Sequence, residues 1–165
     1  MAACLAGCRS EPVHVASYEW VDPAAEKAPF PVYPGATRLP EQTDLVRRAR
    51  AILRPGNVSA SRVVLFDTDA PIDAVALHFA RLQASEDGTP ATVRHGVGDH
   101  AKDEAALVPI LAKLGVGCTP LAGRSEYRSA LIEGGPRRPT ISLQRPWRDL
   151  LGDRVVDRTL IMIGE

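Results

Sequence analysis

The side chains best suited to chemistry lie close together in RHGVGDHAKDE, residues 94–104. His95, Asp99, His100 and Asp103 supply two imidazoles and two carboxylates within nine positions. These are ligand types of zinc and manganese sites, and such a site could serve a small periplasmic metal-dependent hydrolase. However, their spacing matches no metal-binding signature, and the two intervening glycines favour a solvated loop. We therefore expect a structural loop here and keep the metal site as the alternative.

A second chemically distinctive position is Cys8, which follows Leu-Ala-Gly at positions 5–7. Leu-Ala-Gly-Cys resembles the lipobox of bacterial lipoproteins, in which the cysteine thiol receives the lipid and the preceding signal is removed. A signal needs a charged start and about 7–15 apolar residues, whereas only seven residues precede Cys8 and none of them is basic. We therefore expect that the translation start lies upstream of Met1 or that the N-terminus has been trimmed. The pattern predicts that residues 1–8 are the remnant of a lipoprotein signal and that Cys8 is the lipidation site.

The remaining two cysteines, Cys4 and Cys118, indicate no disulfide framework. Cys4 would fall in the discarded signal, which leaves Cys118 as the free thiol of the folded part. One cysteine cannot form an intrachain bridge. Because no basic group flanks Cys118, we expect it to be a small core residue and not a nucleophile.

Length and composition favour one folded domain without a nucleic-acid partner. The chain has 165 residues, of which 45% are hydrophobic and 24% charged, an ordinary globular composition. Twenty basic residues balance twenty acidic ones, so the positive field that nucleic-acid binding requires is missing. No stretch approaches the roughly 20 apolar residues of a membrane span. We expect no cofactor and no catalytic residue.

The chain divides near residue 30. Residues 9–30 include Pro12, Pro23 and Pro29 and show no sustained hydrophobic period. Proline removes backbone donors and favours extended conformations. We therefore predict a flexible tether over 9–30 and a single domain over 31–165.

Hydrophobic periodicity predicts both helices and strands in this domain. The expected helices are 41–53, then 71–83 capped by Asp69 or Ala70, and a third within 103–114 that stops at Gly115. The expected strands lie within 61–69, 126–133, 140–145 and 158–164. The turn at 134–136 suits an antiparallel pair, and the apolar last strand should be central. This order predicts an α+β fold, with an antiparallel sheet of about four strands packed by two or three helices on one face.

The same periods predict one hydrophobic core. Its expected members are Val64, Phe66, Val75, Phe79, Leu131, Ile141, Leu143, Leu160 and Ile161.

Two motifs resemble a known group of proteins. PVYPGA at 31–36 precedes a strand that leads into DTDAPIDAVALHFARL at 67–82, and a β-rich tail follows. This arrangement resembles small bacterial envelope lipoproteins of uncharacterised function. The matching residues are Pro31, Tyr33, Pro34, Gly35 and Ala36 in the first motif and Thr68, Asp69, Pro71, Val75, Phe79 and Leu82 in the second. His78 stands where the family pattern has its first aromatic residue. The resemblance implies an envelope location and a fold, and it carries no catalytic residue.

The sequence therefore predicts a non-catalytic lipoprotein domain of the bacterial cell envelope, on its periplasmic or outer face. Its role would be that of a binding or assembly accessory. Its partners would be the membrane, reached through the lipid anchor, and a second envelope protein. Two alternatives remain open: the periplasmic hydrolase that uses the 95–103 cluster, and a cytoplasmic domain in which Leu-Ala-Gly-Cys is accidental.

Overall fold

The computed structural model describes residues 31–54, 62–84, 90–117, 119–121, 125–134 and 138–164. Within these ranges the protein is α+β, as predicted. The elements are β1 (Thr37–Arg38), α1 (Pro40–Leu53), β2 (Val63–Thr68), α2 (Ile72–Gln83), β3 (Thr92–Asp99), α3 (His100–Lys113), β4 (Glu126–Glu133), β5 (Thr140–Arg145), β6 (Trp147–Asp149), β7 (Arg154–Val156) and β8 (Thr159–Gly164). The predicted signal remnant, Cys8, the tether and Cys118 lie outside the described residues.

The main sheet has six strands in the order β1-β2-β8-β5-β4-β3, and all neighbours are antiparallel. The four predicted strands are its middle four, and β8 is central as expected. The sheet exceeds the predicted size of about four strands because β1 and β3 extend it at its two edges. β1 has only two residues, too few to show a period, and β3 contains the glycines that suggested a loop. β6 and β7 pair separately as a small hairpin.

Helices pack on both faces of the sheet, which corrects the prediction that they lie on one face. Alternate residues of a strand point to opposite faces, and β2 and β8 are apolar at both parities. The buried apolar residues form two hydrophobic clusters, one on each face of the sheet. The first cluster contains buried residues of α2, and the second cluster contains buried residues of α1 and α3. Val64 and Phe66 belong to the first cluster, whereas Val63 and Leu65 belong to the second. A strand that is apolar throughout is typical of a sheet covered on both sides.

The core is therefore divided in two, and the prediction of one core is wrong for two residues. Leu160 is buried in the second cluster, on the opposite face from Ile161. Leu131 is only partly buried, because its neighbours Ala130 and Ile132 occupy the first cluster and the alternation of β4 turns Leu131 away. The other seven predicted residues are buried in the first cluster.

The helix ends differ from prediction at their N-termini. α2 starts after Pro71, which is its N-cap and provides no side-chain hydrogen bond, so neither Asp69 nor Ala70 caps it. α3 starts at His100, three residues before the expected range. Its C-terminus is the predicted one: Gly115 has φ +70°, and its N–H donates to the Ala112 carbonyl in a Schellman-type ending. No helix of the described ranges is long and apolar enough to cross a membrane.

Candidate functional site

The four residues proposed as metal ligands lie where β3 ends and α3 begins, and not in a loop. The loop prediction failed because Gly98 is required by packing. The Tyr127 ring lies directly over Gly98, and a Cβ at this position would overlap the ring. A glycine inside a strand often marks such a close approach of another group. The glycines therefore belong to a regular strand.

Asp99 acts as the N-cap of α3. Its Oδ1 accepts hydrogen bonds from the backbone N–H groups of Ala101 at 2.9 Å and Lys102 at 3.2 Å. The Ser125 hydroxyl donates to the same oxygen at 2.8 Å. These bonds, that of Ser125 first, lower the pKa of Asp99 because they stabilise the charged form. The carboxylate therefore stabilises the start of the helix.

His100 is buried, and its ring makes contacts that have a structural role. Its ring centroid lies 4.6 Å from that of Tyr127, and its Nε2 lies 3.2 Å from the Pro146 carbonyl oxygen. Because the carbonyl can only accept, the neutral ring donates through Nε2. Burial lowers the pKa of His100 to about 4, since the charged form would lose its hydration. Tyr127 in turn donates its hydroxyl to Asp103 Oδ2 at 2.6 Å.

These positions do not converge on one point. His95 lies opposite Ala130, a member of the first cluster, and is exposed on that face. Gly98 pairs with Tyr127. Because Gly98 is three residues from His95, and alternate residues of a strand point to opposite faces, the Tyr127 ring lies on the face opposite to His95. Across the described ranges, no group of three or more His, Cys, Asp or Glu side chains is placed to hold a metal ion. The hydrolase alternative therefore keeps only its sequence pattern as support.

The turn after β2, which carries the Thr-Asp part of the family resemblance, is fixed by two arginines. Arg158 binds Asp67 through two hydrogen bonds of 2.8 and 3.2 Å and binds Asp69 at 2.5 Å. The pKa of Arg158 is raised, chiefly by its hydrogen bond to Asp67. Arg145 Nη1 donates to the carbonyl oxygens of Asp69 and Ala70 at 2.9 and 3.1 Å. These arginines thus satisfy the turn's own charges and carbonyl groups.

The PVYPGA motif is also structural. The Ala36 N–H donates to the Tyr33 carbonyl at 3.0 Å, and Gly35 between them has φ +75°. With proline before that glycine, this is the pattern of a type II turn, which needs glycine at its third position. The turn presents Tyr33 to His78, with ring centroids 5.0 Å apart, and His78 lies 5.3 Å from Phe79. The His78 ring thus makes aromatic contacts with Tyr33 and Phe79.

A buried ion-pair network, which sequence reasoning missed, joins α3 to the β6–β7 hairpin. Arg148 has only 2% of its side chain exposed, and its Nε lies 2.6 Å from Glu104 Oε1. Its Nη2 also binds the Asp153 carboxylate and donates to the Thr119 carbonyl oxygen at 3.2 Å. Because Glu104 is 44 positions away, no local pattern could have indicated the pair. The charges are paired within the protein, as buried charges must be.

One exposed surface of the described residues is the outer side of β3, which we call the β3 edge (residues 92–99). β3 is the last strand of the sheet and pairs with β4 on one side. Most of its residues are exposed, and Val97 has an exposed fraction of 75%. Because no strand is predicted from the sequence over 92–99, this edge was not expected.

Comparison with known proteins adds no family. No family model, no curated protein and no solved structure matches the chain. Any functional conclusion therefore rests on the chain's own residues and on their geometry.

Proposed function

We propose that the chain is a non-catalytic domain of a lipid-anchored protein of the bacterial cell envelope, where it acts as a binding or assembly accessory. The lipid would be attached at Cys8, and residues 9–30 would connect the anchor to the domain. The observation that carries the non-catalytic part is that three of the four candidate side chains, Asp99, His100 and Asp103, are committed to internal hydrogen bonds.

The β3–α3 junction supports this proposal residue by residue. Asp99 caps a helix, His100 is neutral and bonded to the Pro146 carbonyl, and Asp103 accepts from Tyr127. A general base or metal ligand needs a lone pair directed at the substrate or the metal. In this arrangement those groups hold β3, β4 and α3 together.

The anchoring part of the proposal rests on the Leu-Ala-Gly-Cys motif and on simple energetics. Burying an acyl chain in a bilayer contributes about 0.8 kcal/mol per methylene, and two or three chains give stable attachment where one is marginal. A flexible tether of the length of 9–30 has a root-mean-square reach of roughly 25 Å. The domain would therefore stay close to the bilayer and rotate freely against a membrane-associated partner.

The test compares two cysteine variants of the protein expressed from its own gene, with the codons upstream of Met1 retained. We expect the wild type to fractionate with membranes and to incorporate labelled palmitate. Cys8→Ser should lose both properties and keep its melting temperature, because the anchor lies outside the core. Cys4→Ser is the matched control and should behave as the wild type.

Two results would contradict the proposal. Wild-type protein that stays in the aqueous fraction and takes up no palmitate would show that Leu-Ala-Gly-Cys is accidental. Protein purified without chelator that holds one zinc ion per chain, and loses it in His100→Ala, would favour the hydrolase.

A further inference from the structure

The β3 edge has the features of a strand ready to pair. Its eight residues match β4 one to one, from Thr92 opposite Glu133 to Asp99 opposite Glu126, without a bulge. It contains no proline, and within the described part of the chain no strand pairs with its outer side. A regular edge of this kind presents unpaired N–H and C=O groups to another strand.

Neither face of this strand is covered by a helix at its middle. His95 and Val97 are exposed on the face of α2, as their register partners in β4 show. Arg94 and Gly96, which alternate with them, are exposed on the opposite face. An added strand could therefore continue the sheet without displacing a helix.

We propose that the β3 edge binds the β3 edge of a second copy of this chain, antiparallel about a two-fold axis through His95. Two antiparallel neighbouring strands can be related only by an axis normal to the sheet, so equivalent faces continue across the contact. With the axis at His95, Val93 of each copy lies opposite Val97 of the other. Arg94 then lies opposite Gly96, where no side chain competes for space.

The neighbouring registers are less favourable. An axis at Gly96 would place Val97 opposite His95 and Val93 opposite Asp99, so that neither valine would face an apolar residue. An axis at Arg94 would place two guanidinium groups directly opposite each other. Each is ion-paired with Glu133 of its own chain, but like charges so placed are still destabilising. An axis at Val97 would place Arg94 opposite His100, which is already in α3, so it shortens the paired segment. The register at His95 buries Val97, the most exposed large hydrophobic side chain among the described residues, in two apolar cross-strand pairs.

The contact is small, since two of the paired residues are glycines, and association should accordingly be weak. We expect a reversible monomer–dimer equilibrium with a dissociation constant on the order of 100 µM. This inference does not depend on the lipid anchor and goes beyond the proposed function. It can therefore be tested on the chain without lipid, carrying Cys8→Ser.

Sedimentation equilibrium of the full chain with Cys8→Ser, from about 10 to about 500 µM, tests the proposal. Val97→Lys should raise the dissociation constant about tenfold or more, because charge on an edge strand opposes pairing. Val108→Lys is the matched control: Val108 is 53% exposed on α3, and its substitution should leave association unchanged. A monomeric mass throughout the range, or equal weakening by both variants, would overturn the proposal.

A disulfide trap tests the register in a chain whose native cysteines are changed to serine. Two copies of residue 95 should have Cα atoms about 4.5–5.5 Å apart, within the span of a disulfide. Two copies of residue 94 should be about 8 Å apart, which is too far. We expect His95→Cys to form a covalent dimer under mild oxidation and Arg94→Cys to form little. Equal cross-linking of both would show that the contact lies elsewhere or has no fixed register.

Discussion

At the scale of a single residue, His100 shows that the surroundings of a histidine decide its role, although histidine is a common metal ligand. The neighbouring imidazole of His95 is exposed, whereas that of His100 is buried against Tyr127 and bonded to a carbonyl. The sequence puts both in one cluster, yet only one is enclosed by the fold. The buried ring is neutral, and this has a consequence for stability.

We predict that stability falls as the pH drops from about 6.5 to about 4, in part through His100. The unfolded chain takes up a proton near the ordinary pKa of 6.5, whereas burial holds the folded pKa at about 4. Between these values the unfolded state binds more protons, so acid favours unfolding. Allowing for residual solvent screening, the loss should be about 1–2 kcal/mol. Urea unfolding at pH 7.0 and at about pH 4.5 measures it.

His100→Gln isolates this contribution from those of the other titratable groups. Its side-chain amide can still donate to the Pro146 carbonyl, but it does not titrate. The variant should therefore lose about 1–2 kcal/mol less than the wild type over the same pH interval. His95→Gln, at an exposed position, should follow the wild type. Equal acid sensitivity in wild type and His100→Gln would contradict the assignment of a buried neutral histidine.

At the scale of elements, β3 depends on a glycine that only its neighbouring strand explains. We predict that Gly98→Ala destabilises the protein by about 1–3 kcal/mol, the usual cost of overpacking. The new methyl group would displace the Tyr127 ring, and with it the hydrogen bond to Asp103 and the contact with His100. Urea unfolding, with the unfolding slope checked for constancy, measures the change.

Gly96→Ala is the matched control on the same strand. A Cβ there would meet the Ser129 hydroxyl at 3.0 Å, and this small side chain can rotate away. We expect a change within about 0.5 kcal/mol, as for other exposed positions. If both substitutions had the same effect, the cost would come from the strand backbone and not from Tyr127.

The elements that the sequence predicted well are those with a clear hydrophobic period. α1, α2 and β8 lie within one or two residues of their predicted bounds, and β4 and β5 match theirs. β1, β6 and β7 have two or three residues, too few for a period of two to show. β3 was missed because its side chains are mostly exposed and two of its positions are glycine.

The candidate site was harder to predict because its partners are distant in sequence. The residues over 95–103 were correctly singled out as neighbours, but their roles depend on Ser125, Tyr127 and Pro146. The hydrogen-bonding partners lie 24 to 46 positions away, and only the pairing of β3 with β4 and the packing of α3 bring them together. Local spacing contains no information on such contacts.

At the scale of the whole molecule, one sheet connects two hydrophobic clusters. β2 and β8 contribute alternate side chains to both: Val64 and Ile161 to the first, Leu65 and Leu160 to the second. Loss of either cluster would leave these strands with one face exposed to water. The two faces should therefore unfold together, although no helix belongs to both.

We predict that a substitution in the first cluster destabilises the second to the same extent. Phe79, a fully buried residue of α2, belongs to the first cluster. Trp147 lies in the second cluster and reports on it by fluorescence. In a Trp20→Phe background, which makes Trp147 the single tryptophan, Phe79→Leu should cost about 1–2 kcal/mol. The urea midpoints from Trp147 fluorescence and from far-ultraviolet circular dichroism should shift together, as a two-state transition requires.

Leu77→Ala is the control: it removes a side chain that is 53% exposed on the same helix, and it should move neither midpoint by much. A Trp147 midpoint that stays in place while circular dichroism shows two steps would mean that each face of the sheet is an independent folding unit.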